Sequence, residues 1–228
     1  RFALVIQNED SAYFRKTPAS TSNDNRIHRN WTIHFDSTGS LKGSFKWNYQ
    51  GIPATEKRLD IRSMHPREIT ASLSREMLRR YPDYHCNDLK FDGLKDFGNQ
   101  LIITGCLVSS NQLSHRDSVL TYQPGSLSHF EWHELFGEID RKFDIELHFT
   151  LQITDKIQVI YPFHWKPDIP FSNRKMKRQF GIVEYGIEQA DSNCLHFKRH
   201  FQWDTMYVKK ENYARFKAFI NQIAEYDR

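Results

Sequence analysis

From Phe143 to Ile153 the chain alternates without interruption. In FDIELHFTLQI, the residues Phe143, Ile145, Leu147, Phe149, Leu151 and Ile153 take every second place, and Asp144, Glu146, His148, Thr150 and Gln152 fill the places between. Successive side chains of a β-strand point to opposite faces, so this pattern predicts a strand with one face in a core and the other in water. Such a strand cannot stand alone. It needs partners on both sides and a second layer over its apolar face, which directs the fold towards antiparallel β-sheet with one wet side.

The same period appears elsewhere. Trp31, Ile33 and Phe35 alternate with polar residues, as do Leu41, Phe45, Trp47 and Tyr49, and DSTG between the two runs reads as a turn, so the pair predicts a β-hairpin. RFALVI predicts a short buried strand, and Arg15 to Asn25 predicts a loop. Further strands are predicted near Tyr84–Phe91, near Gln100–Ser109 and in KIQVIYPF, and FGIVEYGIEQ with CLHFKRHFQW predicts a late hairpin.

Two segments change period. In HPREITASLSREMLRRYPD, Ile69, Leu73 and Met77 recur every four residues, Pro66 suits the first helical position, Glu68 lies in the first turn, and Arg79 and Arg80 lie in the last. This predicts a helix near 66–81. In the last segment, Tyr213, Phe216, Ile220 and Ile223 form an apolar stripe that Phe219 and Tyr226 widen, and Asn212 suits the N-cap, predicting a helix near 212–226. The Pro, Gly and Ser of TYQPGSLS mark a boundary. The expected architecture is therefore mainly β (β-rich α+β), with two antiparallel β-sandwich-like domains over 1–124 and 125–228, each carrying one packed helix.

Composition excludes several classes. The 32 aromatic residues among 228, counted as 17 Phe, 10 Tyr and 5 Trp, argue for a packed core and against disorder. The net charge of +4 comes from 32 basic and 28 acidic residues that are interspersed, which argues against a nucleic-acid-binding protein. The densest basic stretch, NRKMKRQF from Asn173 to Phe180, reads as a solvated hairpin rim. The longest apolar run, LIITGCLV from Leu101 to Val108, is far too short for a membrane span. The chain starts with Arg1 rather than Met and is expected to be a piece of a longer protein.

No residue cluster declares a chemistry. SHFEWHELFGEI carries His129, Glu131, His133 and Glu134, but Gly137 stands where a zinc-protease motif needs its second histidine, so the segment reads as a domain-junction turn plugged by Phe130, Trp132 and Phe136. Cys194, His196 and His200 share one face of a strand, yet Cys194 and His200 are separated by about 20 Å along it, too far for one ion. Leu195, Phe197, Phe201 and Trp203 take the core face instead. Cys86, Cys106 and Cys194 are odd in number and widely spaced, so they outline no disulfide framework, and Cys86 and its neighbour His85 point to opposite faces. No nucleophile elbow, phosphate loop or dinucleotide fingerprint occurs. Trp132 and Trp165 are the candidates for a carbohydrate-stacking surface, the alternative being a stand-alone carbohydrate-binding β-sandwich.

The order of elements resembles the C-terminal region of bacterial exported transglutaminase-like proteins. The series runs through ALVI, FDSTGSLKGSFKWNYQGIPATEKR, the helix with Glu68, Arg141 in IDRKFDIELHF, YPFHWKPDIPF and NYARFKAFINQI with Tyr213, Phe216 and Phe219. Proteins of that family place domains of unknown function on either side of a transglutaminase-like core, and the resemblance covers essentially all 228 residues. The family's prolines in the last domain are only partly reproduced, by Pro162, Pro167 and Pro170, and its catalytic Cys, His and Asp belong to the core and have no counterpart here. The resemblance implies a non-catalytic accessory region without cofactor or metal. Its partners would be the core of the same polypeptide and an envelope protein or glycan, and its location the periplasm or cell envelope.

Overall fold

The computed structural model describes residues 2–8, 11–16, 20–62, 64–65, 68–73, 84–98, 100–109, 114–116, 119–122, 141–169 and 173–226. The chain is mainly β, as expected, with few helices. Its centre is an eight-stranded sheet. In chain order the strands of that sheet are β3 (Arg26–Phe35), β4 (Leu41–Gln50), β5 (Tyr84–Asp92), β6 (Leu101–Ser109), β10 (Leu151–Ile160), β11 (Asn173–Arg178), β12 (Gly181–Asp191) and β13 (Cys194–Trp203). Their order across the sheet is β11-β12-β13-β10-β3-β4-β6-β5.

Every neighbouring pair in that sheet is antiparallel except one. β3 and β10 run parallel, in register from Arg26 opposite Gln152 to His34 opposite Ile160. The antiparallel strands within residues 26–109 and those within 151–203 thus meet along one shared ladder, and the sheet as a whole is mixed. The boundary expected at 124/125 lies outside the described residues, as does SHFEWHELFGEI. Three two-stranded ribbons accompany the sheet: β1 (Phe2–Asn8) with β2 (Ser11–Lys16), β7 (Ser114–Arg116) with β8 (Val119–Thr121), and β9 (Ile145–Glu146) with β14 (Tyr207–Val208). β1 forms where a buried strand was expected, but its Ile6 is 71% exposed.

One face of the sheet is the core. Trp31, Ile33, Phe45, Trp47, Leu101, Ile103, Leu107, Ile153, Ile157, Val183, Phe197 and Phe201 belong to a single hydrophobic cluster. All are odd-numbered, which is the pleat read directly from sequence. Trp31, Phe45 and Trp47 stack with ring centroids 4.7–5.5 Å apart. The C-terminal helix, α2 (Tyr213–Tyr226), buries Tyr213, Phe216, Phe219, Ile220 and Ile223, so the stripe expected from sequence is the packing face. Phe216 meets the rings of Phe180 at 5.1 Å and Trp203 at 5.4 Å.

The helix α1 (Ile52–Arg62) was not expected, and its formation is local in origin. Gly51, at a φ of 71°, turns the chain out of β4 against the Asp24 carbonyl, where a Cβ would stand 2.1 Å from the oxygen. The buried Asn25 side chain then accepts the Ile52 N–H at 2.9 Å, and Pro53 sits in the first turn, where its missing N–H leaves no gap. Apolar periodicity is weak here because Arg58 occupies a buried position; its Nε donates to the Gly93 carbonyl at 2.8 Å. In the helix expected near 66–81, residues 68–73 are helical, Ile69 and Leu73 are buried, and the Glu68 carboxylate accepts the His65 N–H at 2.8 Å, a half capping box. Met77 lies outside the described residues.

The 143–153 alternation does not form one strand. β9 covers only Ile145–Glu146, the chain bends at 148–149, and β10 starts at Leu151. The cause is a tether ahead of α2. The Asp144 carboxylate accepts the Tyr207 hydroxyl and, at 2.7 Å, the Lys210 N–H, while the Leu147 N–H donates to Met206 at 2.8 Å. These bonds hold 144–147 on the ribbon with β14, whereas the ladders to β13 and β3 begin at Leu151 and Gln152. Phe143, the first residue of the expected core stripe, is 79% exposed.

Candidate functional site

The second face of the sheet is wet, and strand registers place its side chains in transverse rows. One row runs Glu184, His200, Thr154, His28, Asn48, Ile102 and Asp92. The next runs Gly186, Lys198, Lys156, Asn30, Lys46, Thr104 and Lys90. A third runs Glu188, His196, Gln158, Thr32, Ser44, Cys106 and Asn87. No Phe, Tyr or Trp stands on this face among the described residues.

The middle row is the most ordered in charge. Lys156 on β10, Lys46 on β4 and Lys90 on β5 alternate with Asn30 on β3 and Thr104 on β6. The three lysines are exposed and have no ion pair among the described residues. Lys198, at the β13 end, is joined to Glu188 at 2.6 Å. Lys90 reaches this face only because of a bulge. Asn87 pairs with Cys106 and Lys90 with Thr104, so two residues of β5 oppose the single Gly105. Asp88 takes the bulge position at a φ of 52°, and Leu89 turns inward. Gly105 makes room for it: a Cβ there would lie 2.7 Å from Phe45 and 2.8 Å from Leu89. Between Lys46 and Lys90 the short side chains of Thr32, Ser44, Thr104 and Cys106 floor an open depression of about 530 Å³, with Asp88 on its lining.

A buried ionic row lies on the opposite, core face. Asp155 of β10 is flanked in register by Arg29 of β3 and Arg199 of β13. Arg29 donates to both Asp155 oxygens, Nε at 2.5 Å and Nη2 at 3.0 Å, and Arg199 Nη1 donates at 3.3 Å. Asp155 and the Arg199 side chain are fully buried. Burial by itself would lower the pKa of the Arg29 guanidinium, but the adjoining Asp155 carboxylate more than offsets it and holds the group above its usual value. Arg199 also lies over the Tyr185 ring at 5.9 Å. The single carboxylate bridges two guanidiniums, with Asp155 and Arg199 fully buried and Arg29 largely so, and the arrangement is a structural clamp between the strands that join the two halves.

The wet face is electropositive enough to act on its own histidines. His28 has a lowered pKa, first from partial burial and then from the cations Arg26 and Lys156 and from His200; the Asp155 charge acts in the opposite sense. His200 Nδ1 lies 3.3 Å from the Thr154 hydroxyl, and His196 Nδ1 lies 3.7 Å from Glu188.

The sequence-level candidates fall into place against this geometry. Cys194, His196 and His200 do share the wet face, but they spread along β13 and each meets a different neighbour: Gln158 for Cys194, Glu188 for His196 and Thr154 for His200. No group of three or more His, Cys, Asp or Glu side chains has metal-binding geometry among the described residues. Cys86 is half-buried, and burial pushes its thiol up to about 11 with the nearby Cys106 adding to the effect, so it is held as a thiol. His85 and Cys86 pair with Val108 and Leu107, on opposite faces as expected. All three cysteines are free. Trp165 is half-buried against Phe35, with centroids 6.2 Å apart; His129, His133 and Trp132 lie outside the described residues. The NRKMKRQF segment is the edge strand β11 with its following turn. Lys175 is paired to Glu184 at 2.5 Å, and Met176 and Phe180 are buried. Charged edge strands resist edge-to-edge association. The rows of the wet face escaped the sequence reading because they run across strands far apart in the chain.

Fold and face together define an α+β protein built on a one-sided mixed sheet, with its helices on the apolar face and a basic, aromatic-free face turned to water. Residues 120–228, a little under half of the chain, match a family model described as Domain of Unknown Function with solved-structure structure (DUF3858). No curated protein and no solved structure matches the chain. No helix among the described residues is long and apolar enough to cross a membrane.

Proposed function

We propose that this chain is the non-catalytic accessory region of an exported transglutaminase-like protein, packing beside a catalytic core and using its wet sheet face to hold a substrate or an envelope partner. The observation that carries it is the chemistry of that face. Its ionisable groups stand in rows across the sheet, and its lysines are set among amides and hydroxyls, which suits holding a ligand. A cysteine nucleophile works as the thiolate, and burial shifts the Cys86 thiol away from that form. The family match over 120–228 agrees with a C-terminal domain of unknown function; the transglutaminase-like parent rests on the resemblance of sequence order.

The test has two arms. The purified 228-residue chain, incubated with a glutamine-containing peptide and an amine donor, should release no ammonia and cleave no amide. Turnover that follows the chain through purification would overturn the proposal. The natural polypeptide that carries this sequence should also contain a Cys, His and Asp core upstream, and a parent without one removes the transglutaminase assignment.

A further inference from the structure

We infer that the row Lys156, Asn30, Lys46, Thr104, Lys90 is a binding track for a linear acidic polysaccharide in which charged and neutral sugars alternate. The inference rests on the binding-region proposal above and names its ligand class.

Spacing is the first ground. Neighbouring strands lie about 4.8 Å apart, so the three lysines, each two strands from the next, are about 9.6 Å apart and the row spans roughly 19 Å. Cation, neutral hydrogen-bonder, cation, neutral hydrogen-bonder, cation is the pattern an extended chain would meet if every second unit carried a carboxylate. The flanking rows present further neutral groups within reach, Thr154 and Asn48 on one side and Gln158, Thr32 and Ser44 on the other. Those are donors and acceptors suited to sugar hydroxyls. The depression between Lys46 and Lys90 gives one unit a seat.

Other partner classes fit less well. Nucleic acid carries a charge about every 3.4 Å per strand, far denser than one cation per 9.6 Å, and single strands are held by aromatic stacking that this face lacks. A protein interface centres on buried aromatic or aliphatic anchors and is depleted of lysine. A membrane-surface site sinks apolar side chains beside its cations, and the large side chains of this row are lysines.

The experiment titrates the folded chain, by calorimetry at low salt, with hyaluronan decasaccharide (alternating glucuronate and N-acetylglucosamine), with a neutral β-glucan of equal length, with single-stranded DNA and with phosphatidylglycerol vesicles. Hyaluronan should bind best, and added salt should weaken it. Lys46→Gln, Lys90→Gln and Lys156→Gln should each weaken binding about 2- to 5-fold, as expected of exposed ion pairs, and the triple variant at least about 10-fold. Lys42→Gln, on the same face outside the row, should bind as the parent chain does. Circular dichroism establishes that each variant is folded. Equal affinity for hyaluronan and the neutral glucan, an undiminished triple variant, or tighter binding of DNA or vesicles would each overturn the inference. Amide turnover by the chain would overturn the accessory-region proposal and leave the saccharide titration standing, so the two failures are distinct.

Discussion

Asp155 shows most clearly how one residue ties the molecule together. It sits between Arg29 and Arg199 on strands separated by 126 and 44 residues of chain; Asp155 and Arg199 are fully buried and the Arg29 side chain is 11% exposed. Removing the carboxylate leaves two buried guanidiniums side by side. Asp155→Ala should therefore destabilise the chain by about 3–5 kcal/mol, measured by urea unfolding, the cost of leaving a buried charge without its partner. An unchanged denaturation midpoint would show that the row adds nothing to stability.

His28, on the other face, predicts a pH effect whose sign follows from its depressed pKa. The unfolded chain takes up the proton near the ordinary value of 6.5, before the folded chain does, because burial and the neighbouring cations disfavour the charged ring. Its contribution is intact above about 6.5 and is lost as pH falls from there through the lower folded value. His28→Gln should flatten the stability profile over that window, and a histidine-resolved NMR titration should give His28 a lower pKa than a histidine in the unfolded chain.

Among the elements, α2 was the most legible. Its stripe could be read because an amphipathic helix carries its packing information in its own spacing, and Tyr213, Phe216, Ile220 and Ile223 are all buried. Phe216 is fully buried against Phe180 and Trp203, so Phe216→Ala should cost about 3–5 kcal/mol in the same unfolding assay. β13 was equally clear in bounds and parity, although Arg199 on its apolar face gave no sequence signal of its partner. α1 was not legible, because its capping partner Asn25 lies 27 residues before Ile52 and its buried Arg58 breaks the apolar pattern. The run from Phe143 was over-read for the opposite reason. Perfect alternation describes what a segment could bury, and the Asp144 tether to Tyr207 and Lys210 settled which part of it joined the sheet.

At the level of the whole molecule, the β3–β10 ladder makes the two halves one hydrogen-bonded sheet. The expected consequence is a single cooperative unfolding transition. Phe216→Ala, on one side of the ladder, and a truncation such as Ile103→Ala, on the other, should lower the same melting midpoint, by about 2–4 °C per kcal/mol lost. Two separable transitions by calorimetry would mean that the halves fold independently despite the shared ladder.

The sequence by itself determined the β-rich class, the hairpin of β3 and β4, the C-terminal helix, and which residues of most strands face the core. Each of these is written in a local period of side chains, two for a strand and 3.6 for a helix. Only the tertiary structure decided that β10 lies beside β3, that Asp155 falls between two arginines, and that the bulge at Asp88 turns Lys90 to the wet face in line with Lys46 and Lys156. Those facts are registers between strands far apart in the chain. A register is chosen by packing and backbone pairing across the whole sheet, and it leaves no mark in the spacing of residues along any one strand.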